Sequence, residues 1–237
     1  NLLTIILGNL LVAQQRFSHD DQLNKMLAPA IRASKRGSDI TNRLLVFSRR
    51  QSLSPSVVDA NKLVDETFEL LQSSLPSSIS LKHQSNPADL AIYVDVSQFE
   101  NCLINLILNA KDAMPTGGTI SVNLQAVTVA ESLYFDEMVI PGNYIQFNIE
   151  DTGCGFSPDA MTTAFEPFYT TKPTGEGAGL GLSMVFGFLK QSKGYIKLGN
   201  KPQGGAHVSL LLPELAYAEL QQHNNTFLQT NNDDEFC

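Results

Sequence analysis

The chain has 237 residues, of which 43% are hydrophobic and 17% charged, and its formal net charge is −8. This acidic balance excludes a nucleic-acid-binding role, and the length predicts one or two domains. The sequence has no run of 18 apolar residues and three widely spaced cysteines, a pattern typical of a cytoplasmic protein with free thiols, whose membrane attachment, if any, would come from upstream segments.

Apolar residues recur at helical spacing along residues 2–17 and 22–52, and the polar residues 18–21 interrupt the pattern. This predicts a helical hairpin with one apolar face on each helix. Two helices do not bury such faces by themselves, so we expect a homodimer through residues 1–52, a four-helix bundle of two hairpins. The alternative is that the stripe packs on the rest of this chain. The stripe comprises Leu3, Leu7, Leu10, Leu27, Ile31 and Leu44.

The sequence after Pro55 mixes helical and strand patterns. Pro55 and the serines around it predict a domain boundary. Asn61 is the expected cap of the next helix, and Ser97 opens a capping box before a long helix. We predict an α+β fold over residues 53–215, a sandwich of one sheet with helices on one face, followed by a polar tail or linker at residues 216–237. The predicted strands cover residues 57–58, 79–82, 91–94, 119–129, 144–150, 195–198 and 207–212.

Three asparagines on the long helix lie four residues apart. Asn101, Asn105 and Asn109 therefore share one face, while leucine and isoleucine side chains cover the rest of the cylinder. Burying three carboxamides without partners is costly, so they are either satisfied or exposed amides, or ligands. Carboxamide oxygen suits a hard cation such as Mg²⁺, which keeps substrate phosphates among its ligands.

Two further stretches each have a structural and a functional interpretation. Residues 151–155 (Asp-Thr-Gly-Cys-Gly) place Asp151 at a strand end before two glycines. This is either a turn or an acid that accepts a hydrogen bond from the amino group of a base. Residues 165–172 (Phe-Glu-Pro-Phe-Tyr-Thr-Thr-Lys) form an aromatic and proline hinge, which fits a core anchor for the loop that follows.

Glycines occupy every second position from Gly175 to Gly181, after which a helical pattern begins. Each glycine inside a helix costs about 1 kcal/mol relative to alanine, so this stretch is predicted to be a loop that leads into a helix N-terminus. The free N–H groups and positive dipole end of that helix favour a phosphate. Glycine-rich turns before helices are common, and this one lacks the Lys-Ser/Thr ending of a P-loop, so alone it does not identify a ligand.

Together, these stretches resemble the motifs of bacterial sensor histidine kinases in their expected order. Residues 105–110, 151–155, 165–172 and 177–182 are similar to the asparagine, first glycine, phenylalanine and second glycine boxes, and residues 204–206 to the weaker last glycine box. The resemblance implies the ATPase fold shared by histidine kinases, gyrase and Hsp90 over residues 53–215. The hairpin resembles the dimerisation and phosphoacceptor domain. Its first residues look like the continuation of a His-Asp-Phe-Asn-Asn-Leu-Leu motif, found in the subgroup that includes nitrogen-regulatory kinases.

The resemblance implies a role for each matched residue. Asp151 would bind the adenine amino group, Asn109 would ligate Mg²⁺, and Asn105 would lie beside the triphosphate. Lys172 and the N–H groups of the loop would neutralise phosphate charge, and Asn105 and Lys172 are the implied catalytic residues. Gly153, Gly155, Gly179 and Gly181 would let the backbone approach the nucleotide. The remaining cofactor-binding positions carried over from the motifs are Asp112, Phe168, Thr171, Gly177, Leu180 and Leu182.

The sequence departs from the family pattern at Asp112. Many members have a lysine three residues after the Mg²⁺-binding asparagine, whereas here that position is Asp112, with Lys111 before it. This departure leaves open which cation meets the phosphates at this end of the helix.

The implied function is an ATP- and Mg²⁺-dependent protein histidine kinase that passes the γ-phosphoryl group to a histidine and then to an aspartate on the receiver domain of a response regulator. The acceptor histidine is expected four residues before Asn1, so the chain should bind ATP without phosphorylating itself. His19 lies in the polar break and is a disfavoured acceptor; His83, His207 and His223 are expected to be structural or exposed. Two rivals remain: a non-catalytic dimeric scaffold, and an ATPase of the gyrase or chaperone type. The ATPase is disfavoured because those proteins hold a glutamate at the position of Asn105.

Overall fold

The computed structural model describes residues 2–48, 53–84, 90–131, 133–172 and 177–215 of the chain. Contacts between Cα atoms divide the chain into two compact units, residues 1–52 and residues 53–237. Within the described parts, no helix is both long enough and apolar enough to cross a membrane.

The first unit is the predicted helical hairpin. Helix α1 spans Leu2–Arg16 and helix α2 spans Asp21–Ser48. The turn between them is fixed by side chains, because Asp20 Oδ1 accepts a hydrogen bond from the amide of Leu23 at 2.9 Å. Asn24 Nδ2 also donates to the carbonyl of Phe17 at 3.1 Å. The polar break in the sequence is therefore a hydrogen-bonded turn that starts α2.

Much of the apolar surface of the hairpin remains exposed. Ile5, Val12 and Met26 are 61%, 63% and 75% exposed, whereas Ile31 of the predicted stripe is buried. Leu7, Leu10 and Leu27 of the same stripe are half-buried. Leu3 and Leu44, the remaining members of the stripe, are not among the residues whose side chains the structure describes.

The second unit is an α/β sandwich, as predicted. Its elements are β1 Ser56–Asp59, α3 Ala60–Gln72, β2 Ile79–Gln84, β3 Ala91–Val94, α4 Val96–Asp112, β4 Gly118–Val129, β5 Leu133–Tyr134, β6 Met138–Val139, β7 Gly142–Asp151, α5 Pro158–Thr163, α6 Gly181–Gln191, β8 Tyr195–Asn200 and β9 Ala206–Pro213. Five strands form one sheet in the order β2-β4-β7-β9-β8, with β2 parallel to β4 and the other pairs antiparallel. Strands β1 and β3 form a separate antiparallel pair.

Helices α3, α4 and α6 pack on one face of the sheet through a single hydrophobic core. Phe99 of α4 joins the layers, because its ring meets Phe147 of β7 edge-on at 4.9 Å and stacks on Phe188 of α6 at 5.8 Å. Such aromatic contacts add to the stabilisation gained from burial.

Asn148 and Ser209, at paired positions of the neighbouring strands β7 and β9, form a side-chain hydrogen bond of 2.7 Å.

Both predicted helix caps are wrong by two residues. Asp59 rather than Asn61 caps α3, since its Oδ1 accepts hydrogen bonds from the amides of Asn61 and Lys62 at 2.8 and 3.3 Å. Asp95 rather than Ser97 caps α4, since its Oδ1 accepts from the amide of Gln98 at 3.0 Å. A carboxylate is favoured at both places because its charge also interacts with the positive end of the helix dipole.

The two strand histidines are both hydrogen-bonded. His83 Nδ1 lies 2.7 Å from Asp65 Oδ1. His207 Nε2 lies 3.1 Å from Asn148 Oδ1 and 3.0 Å from Ser209 Oγ. His223 and the predicted polar tail, residues 216–237, lie outside the described residues.

Candidate functional site

Asp151 is the last residue of β7 and is only 5% exposed. Its Oδ1 accepts hydrogen bonds from the amide of Gly153 at 2.7 Å and from the amide of Ala206 at 3.0 Å. Among the described residues, both recorded bonds to this carboxylate fall on the same oxygen. Oδ2 therefore retains acceptor capacity for a donor such as an amino group.

The turn between β8 and β9 fits closely behind Asp151. Gly205 has φ +93°, and a Cβ built on it would lie 2.1 Å from the Asp151 carbonyl oxygen. Lys201 Nζ donates to that same carbonyl oxygen at 3.1 Å. Only glycine therefore allows the turn to approach so closely.

Two residues at this turn were not predicted from the sequence: Asn200, the last residue of β8, and Lys201, which follows it. Asn200 holds Phe156 by two hydrogen bonds: its Oδ1 accepts from the Phe156 amide at 2.7 Å, and its Nδ2 donates to the Phe156 carbonyl at 2.8 Å. The one signal in the sequence was the Gly-Gly pair at residues 204–205, part of the last glycine box, which does not indicate the contacts of Asn200 and Lys201.

Gly153 and Gly155 make their close contacts with the chain itself. A Cβ on Gly153 would lie 2.6 Å from the carbonyl oxygen of Ala113, at the end of α4. Gly155 has φ +73°, and a Cβ there would lie 2.7 Å from Asn200 Oδ1. Packing and backbone conformation thus require both glycines, and their approach to a nucleotide stays a prediction.

The asparagine face of α4 meets the first residue of α6. A Cβ on Gly181 would lie 3.5 Å from Asn105 Oδ1 and 3.6 Å from Asn109 Nδ2. Both asparagines are half-buried, whereas Asn101, one turn earlier, is exposed. Two of the four predicted motifs are therefore in direct proximity, and the third asparagine is not part of that contact.

The N-terminus of α6 follows directly on the glycine motif. Its N-cap residue is Leu180, and among the described residues no side chain caps it by a hydrogen bond. Leu180 itself is buried, and Leu182 packs against the main core. These two leucines anchor the helix, and among the described side chains none accepts a hydrogen bond from the backbone N–H groups of its first turn.

Phe168 and Gly179 connect the phenylalanine and glycine motifs. The Phe168 amide donates to the Gly179 carbonyl at 2.8 Å. Both residues have positive φ, +71° and +65°, which is uncommon for phenylalanine. A Cβ on Gly179 would lie 2.4 Å from the Phe168 carbonyl carbon, so this contact requires glycine.

The segment between these two residues is described in part. Thr171 is exposed. A Cβ on Gly177 would lie 2.9 Å from Thr170 Oγ1. Residues 173–176 of the predicted glycine loop lie outside the described residues.

Asp112, at the last position of α4, contacts two lysines. Lys172 Nζ contacts its Oδ2, and Lys111 Nζ lies 3.0 Å from its Oδ1. Burial alone raises the pKa of the Asp112 carboxyl, but the hydrogen bonds and charges of Lys172 and Lys111 outweigh burial and lower this pKa below its usual value. The carboxylate is therefore charged, and it connects α4 to the end of the phenylalanine motif.

Comparison with known proteins gives a family match. The model of the family described as histidine kinase-, DNA gyrase B-, and HSP90-like ATPase matches residues 94–216. The chain is 37% identical over 183 residues to the sensor kinase CckA of Brucella abortus, covering 77% of this chain and 19% of that protein. It is 28% identical over 219 residues to sporulation kinase B of Bacillus subtilis, covering 90% of this chain and 46% of that protein. The chain thus spans less than half the length of the curated relatives it matches.

Solved structures show the same fold. Full-length ShkA in complex with AMPPNP matches with a TM-score of 0.70 at 22% identity, covering 90% of this chain and 43% of that one. The histidine kinase ThkA in complex with the response regulator protein TrrA matches with a TM-score of 0.62 at 20% identity, covering 90% of this chain and 58% of that one.

Proposed function

The chain belongs to the histidine kinase-, DNA gyrase B- and HSP90-like ATPase family, and we propose that it is the kinase core of a two-component sensor histidine kinase acting in the cytoplasm. It binds ATP with Mg²⁺ and directs the γ-phosphoryl group to a histidine, from which an aspartate on a response regulator receives it. The relatives named above are sensor and sporulation kinases.

The observation that carries this proposal is the proximity of Gly181 to Asn105 and Asn109, whose side chains a Cβ on Gly181 would touch. The N-terminus of α6, which has no side-chain cap among the described residues and favours phosphate, therefore lies beside two carboxamides, which suit a hard cation. A divalent metal and a polyphosphate need these two environments side by side. The carboxamides and the backbone N–H groups together therefore fit Mg²⁺ and a nucleoside triphosphate.

Each end of the nucleotide would be held by different residues. Asn109 would supply an oxygen ligand to the metal, and Asn105 would lie beside the triphosphate together with the first-turn N–H groups of α6. When bound, Mg²⁺ neutralises charge on the transferred phosphoryl group. Asp151 fits the adenine amino group, because its buried carboxylate is oriented by two amides through Oδ1.

The hairpin would supply the dimer and the docking site for the receiver domain. The exposed apolar side chains of α1 and α2 support a homodimer, since surface of this kind on a soluble protein marks an interaction site. His19 is exposed and lies in the turn rather than on a helix face, which supports an acceptor other than His19. One solved neighbour is a kinase in complex with a response regulator.

The test is phosphoryl transfer from γ-labelled ATP in the full-length protein with Mg²⁺. We expect label that is stable in alkali and lost in acid, as on phosphohistidine, and its passage to a receiver domain. We also expect slow release of free phosphate. Steady phosphate release without label on any histidine would contradict the proposal and support an ATPase of the gyrase type. Nucleotide binding without either activity would support the scaffold.

A further inference from the structure

We propose that Asp112 is a positioning residue of the nucleotide site, which holds the Lys172 ammonium at the end of α4 for the phosphates. The inference rests on the proposed binding of ATP. It assigns the cation at this end of the site to Lys172, and it gives Asp112 a role through that lysine rather than through direct contact with the ligand.

The first argument is the position of Asp112 on its helix. It is the last residue of α4, where the negative end of the helix dipole disfavours a carboxylate. The contacts of Lys111 and Lys172 compensate this unfavourable placement. A carboxylate that is unfavourable at the end of its own helix, and is stabilised by a lysine from a distant part of the sequence, points to a functional requirement.

The second argument is where Asp112 places Lys172. The two residues are 60 positions apart in sequence, and Nζ of Lys172 contacts Oδ2 of Asp112. Asp112 follows Asn109 by three residues, so both lie on the same side of α4 one turn apart. The Lys172 ammonium thereby lies about one helical turn from Asn109, whose side chain is close to Gly181.

Lys172 is also held at two other points. Its amide donates to Thr170 Oγ1 at 3.2 Å. Its aliphatic chain lies against Gly177, because a Cβ on that glycine would be 3.1 Å from Lys172 Cδ. These contacts restrain the backbone, the aliphatic chain and the ammonium of Lys172, so less rotamer freedom is left to lose when a phosphate binds.

The ion pair leaves Lys172 able to bind phosphate. An ammonium has three donors, and the contact with Oδ2 of Asp112 uses one of them. The side chains of Lys172 and Asp112 are 32% and 34% exposed, so the pair is reachable from solvent. A pair this exposed is worth little by itself, which suits an orienting contact better than a fixed structural bridge.

A double-mutant cycle in the complete chain tests the proposal, with the Kd for Mg-ATP as the measured quantity. We expect Asp112→Asn to weaken binding about two- to fivefold, the range open to a partly exposed ion pair. In a Lys172→Gln background the same Asp112→Asn change should have no further effect, because its target is gone. Asp112→Glu, which keeps the carboxylate, should retain most of the wild-type affinity that Asp112→Asn loses.

The control is Glu66→Gln, which removes one negative charge from an exposed pair with Lys62 on α3. It should leave the Kd unchanged, so that a general effect of net charge is distinguished from a local one. Thermal unfolding of each variant confirms that it is folded.

Two results would overturn the proposal. Tighter binding by Asp112→Asn would show that the carboxylate competes with phosphate for Lys172. Equal effects of Asp112→Asn with and without Lys172 would show that Asp112 acts by another route. If the wild-type chain bound no ATP, both the proposed function and this inference would fail. If the wild type bound ATP normally and either result above were found, only the role of Asp112 would be overturned.

Discussion

Asp151 and Ala206 are joined by a hydrogen bond of 3.0 Å from the Ala206 amide to Oδ1 of the buried carboxylate, across 55 residues of sequence. The bond connects the end of β7 to the start of β9, so the orientation of Asp151 depends on the turn that precedes Ala206. Substitutions in that turn should change nucleotide binding without touching the nucleotide.

Gly205→Ala should weaken ATP binding and destabilise the protein. Its added Cβ would lie 2.1 Å from the Asp151 carbonyl oxygen, in addition to the strain of φ +93°. The neighbouring Gly204→Ala is the matched control, because it has φ +94° but, apart from its own residue and its two chain neighbours, no described atom lies within 4 Å of the added Cβ. We expect strain alone to cost Gly204→Ala about 1 kcal/mol of unfolding free energy, and Gly205→Ala to lose more.

Chemical denaturation and nucleotide titration of both glycine variants measure these effects. Equal losses of stability and unchanged ATP affinity in the two variants would show that the turn does not position Asp151.

Asn109→Ala should abolish the Mg²⁺ dependence of nucleotide binding, because it removes an oxygen ligand of the metal. Binding of the nucleotide without metal should survive in part. Asn101→Ala is the control, since Asn101 lies on the same helix but is exposed. Calorimetric titrations with Mg²⁺ and with EDTA give the comparison. A normal Mg²⁺ response in Asn109→Ala would show that Asn109 is structural.

The two described thiols should react at very different rates. Burial raises the pKa of the Cys102 thiol far above its usual value, so Cys102 stays protonated and unreactive. Cys154 is exposed and lies between Gly153 and Gly155. In a Cys237→Ser background, a thiol reagent at pH 8 should label Cys154 quickly and Cys102 only on unfolding.

Mg-ATP should slow the labelling of Cys154, since Asp151 lies three residues before it. Mass spectrometry of partly labelled protein follows each site separately. Labelling of Cys154 that is indifferent to saturating Mg-ATP would argue against a nucleotide beside residues 151–155.

The hairpin should form a homodimer that charge disrupts. Ile6 of α1 and Met26 of α2 are 47% and 75% exposed. Burying a side chain of this size contributes about 1.5–3 kcal/mol, and a two-fold interface uses each position twice. Sedimentation should show a dimer for the wild type and a monomer for the double variant Ile6→Glu with Met26→Glu. Leu70→Glu, at an exposed position of α3, should remain dimeric. A wild-type monomer at micromolar concentration would refute the dimer.

Periodicity predicted the elements that are long enough to show it. The hairpin, α4 and strands β4 and β7 were all predicted, because 10 or more residues of regular alternation or helical spacing override local ambiguity. Strands β5 and β6 have two residues each, and α5 has six, so none carries a period. The caps at Asp59 and Asp95 were missed because asparagine and serine nearby have similar cap preferences. In the structure the two carboxylates accept the hydrogen bonds at the helix N-termini.

The site residues were predicted as motifs, whereas their connections were not. Asn105, Asp151 and Gly181 each stand in a recognisable local pattern. The contact between Lys172 and Asp112, and the one between Lys201 and the Asp151 carbonyl, join residues about fifty or more positions apart. Such contacts arise from the pairing of strands and the packing of helices, which a single sequence does not encode locally.

The most direct test of the account is the ATP affinity of Asp151→Asn, measured by calorimetry beside the wild type. Asparagine keeps an oxygen for the amides of Gly153 and Ala206 but places an NH₂ group where the second acceptor was. We expect the wild type to bind Mg-ATP and the variant to lose about 1.5–3 kcal/mol, roughly ten- to more than a hundredfold in Kd. Glu66→Gln, on the exposed side of α3, removes the same charge and should bind normally. Unchanged ATP affinity in Asp151→Asn would contradict the assignment of the adenine site, and no binding by the folded wild type would contradict the proposed kinase core.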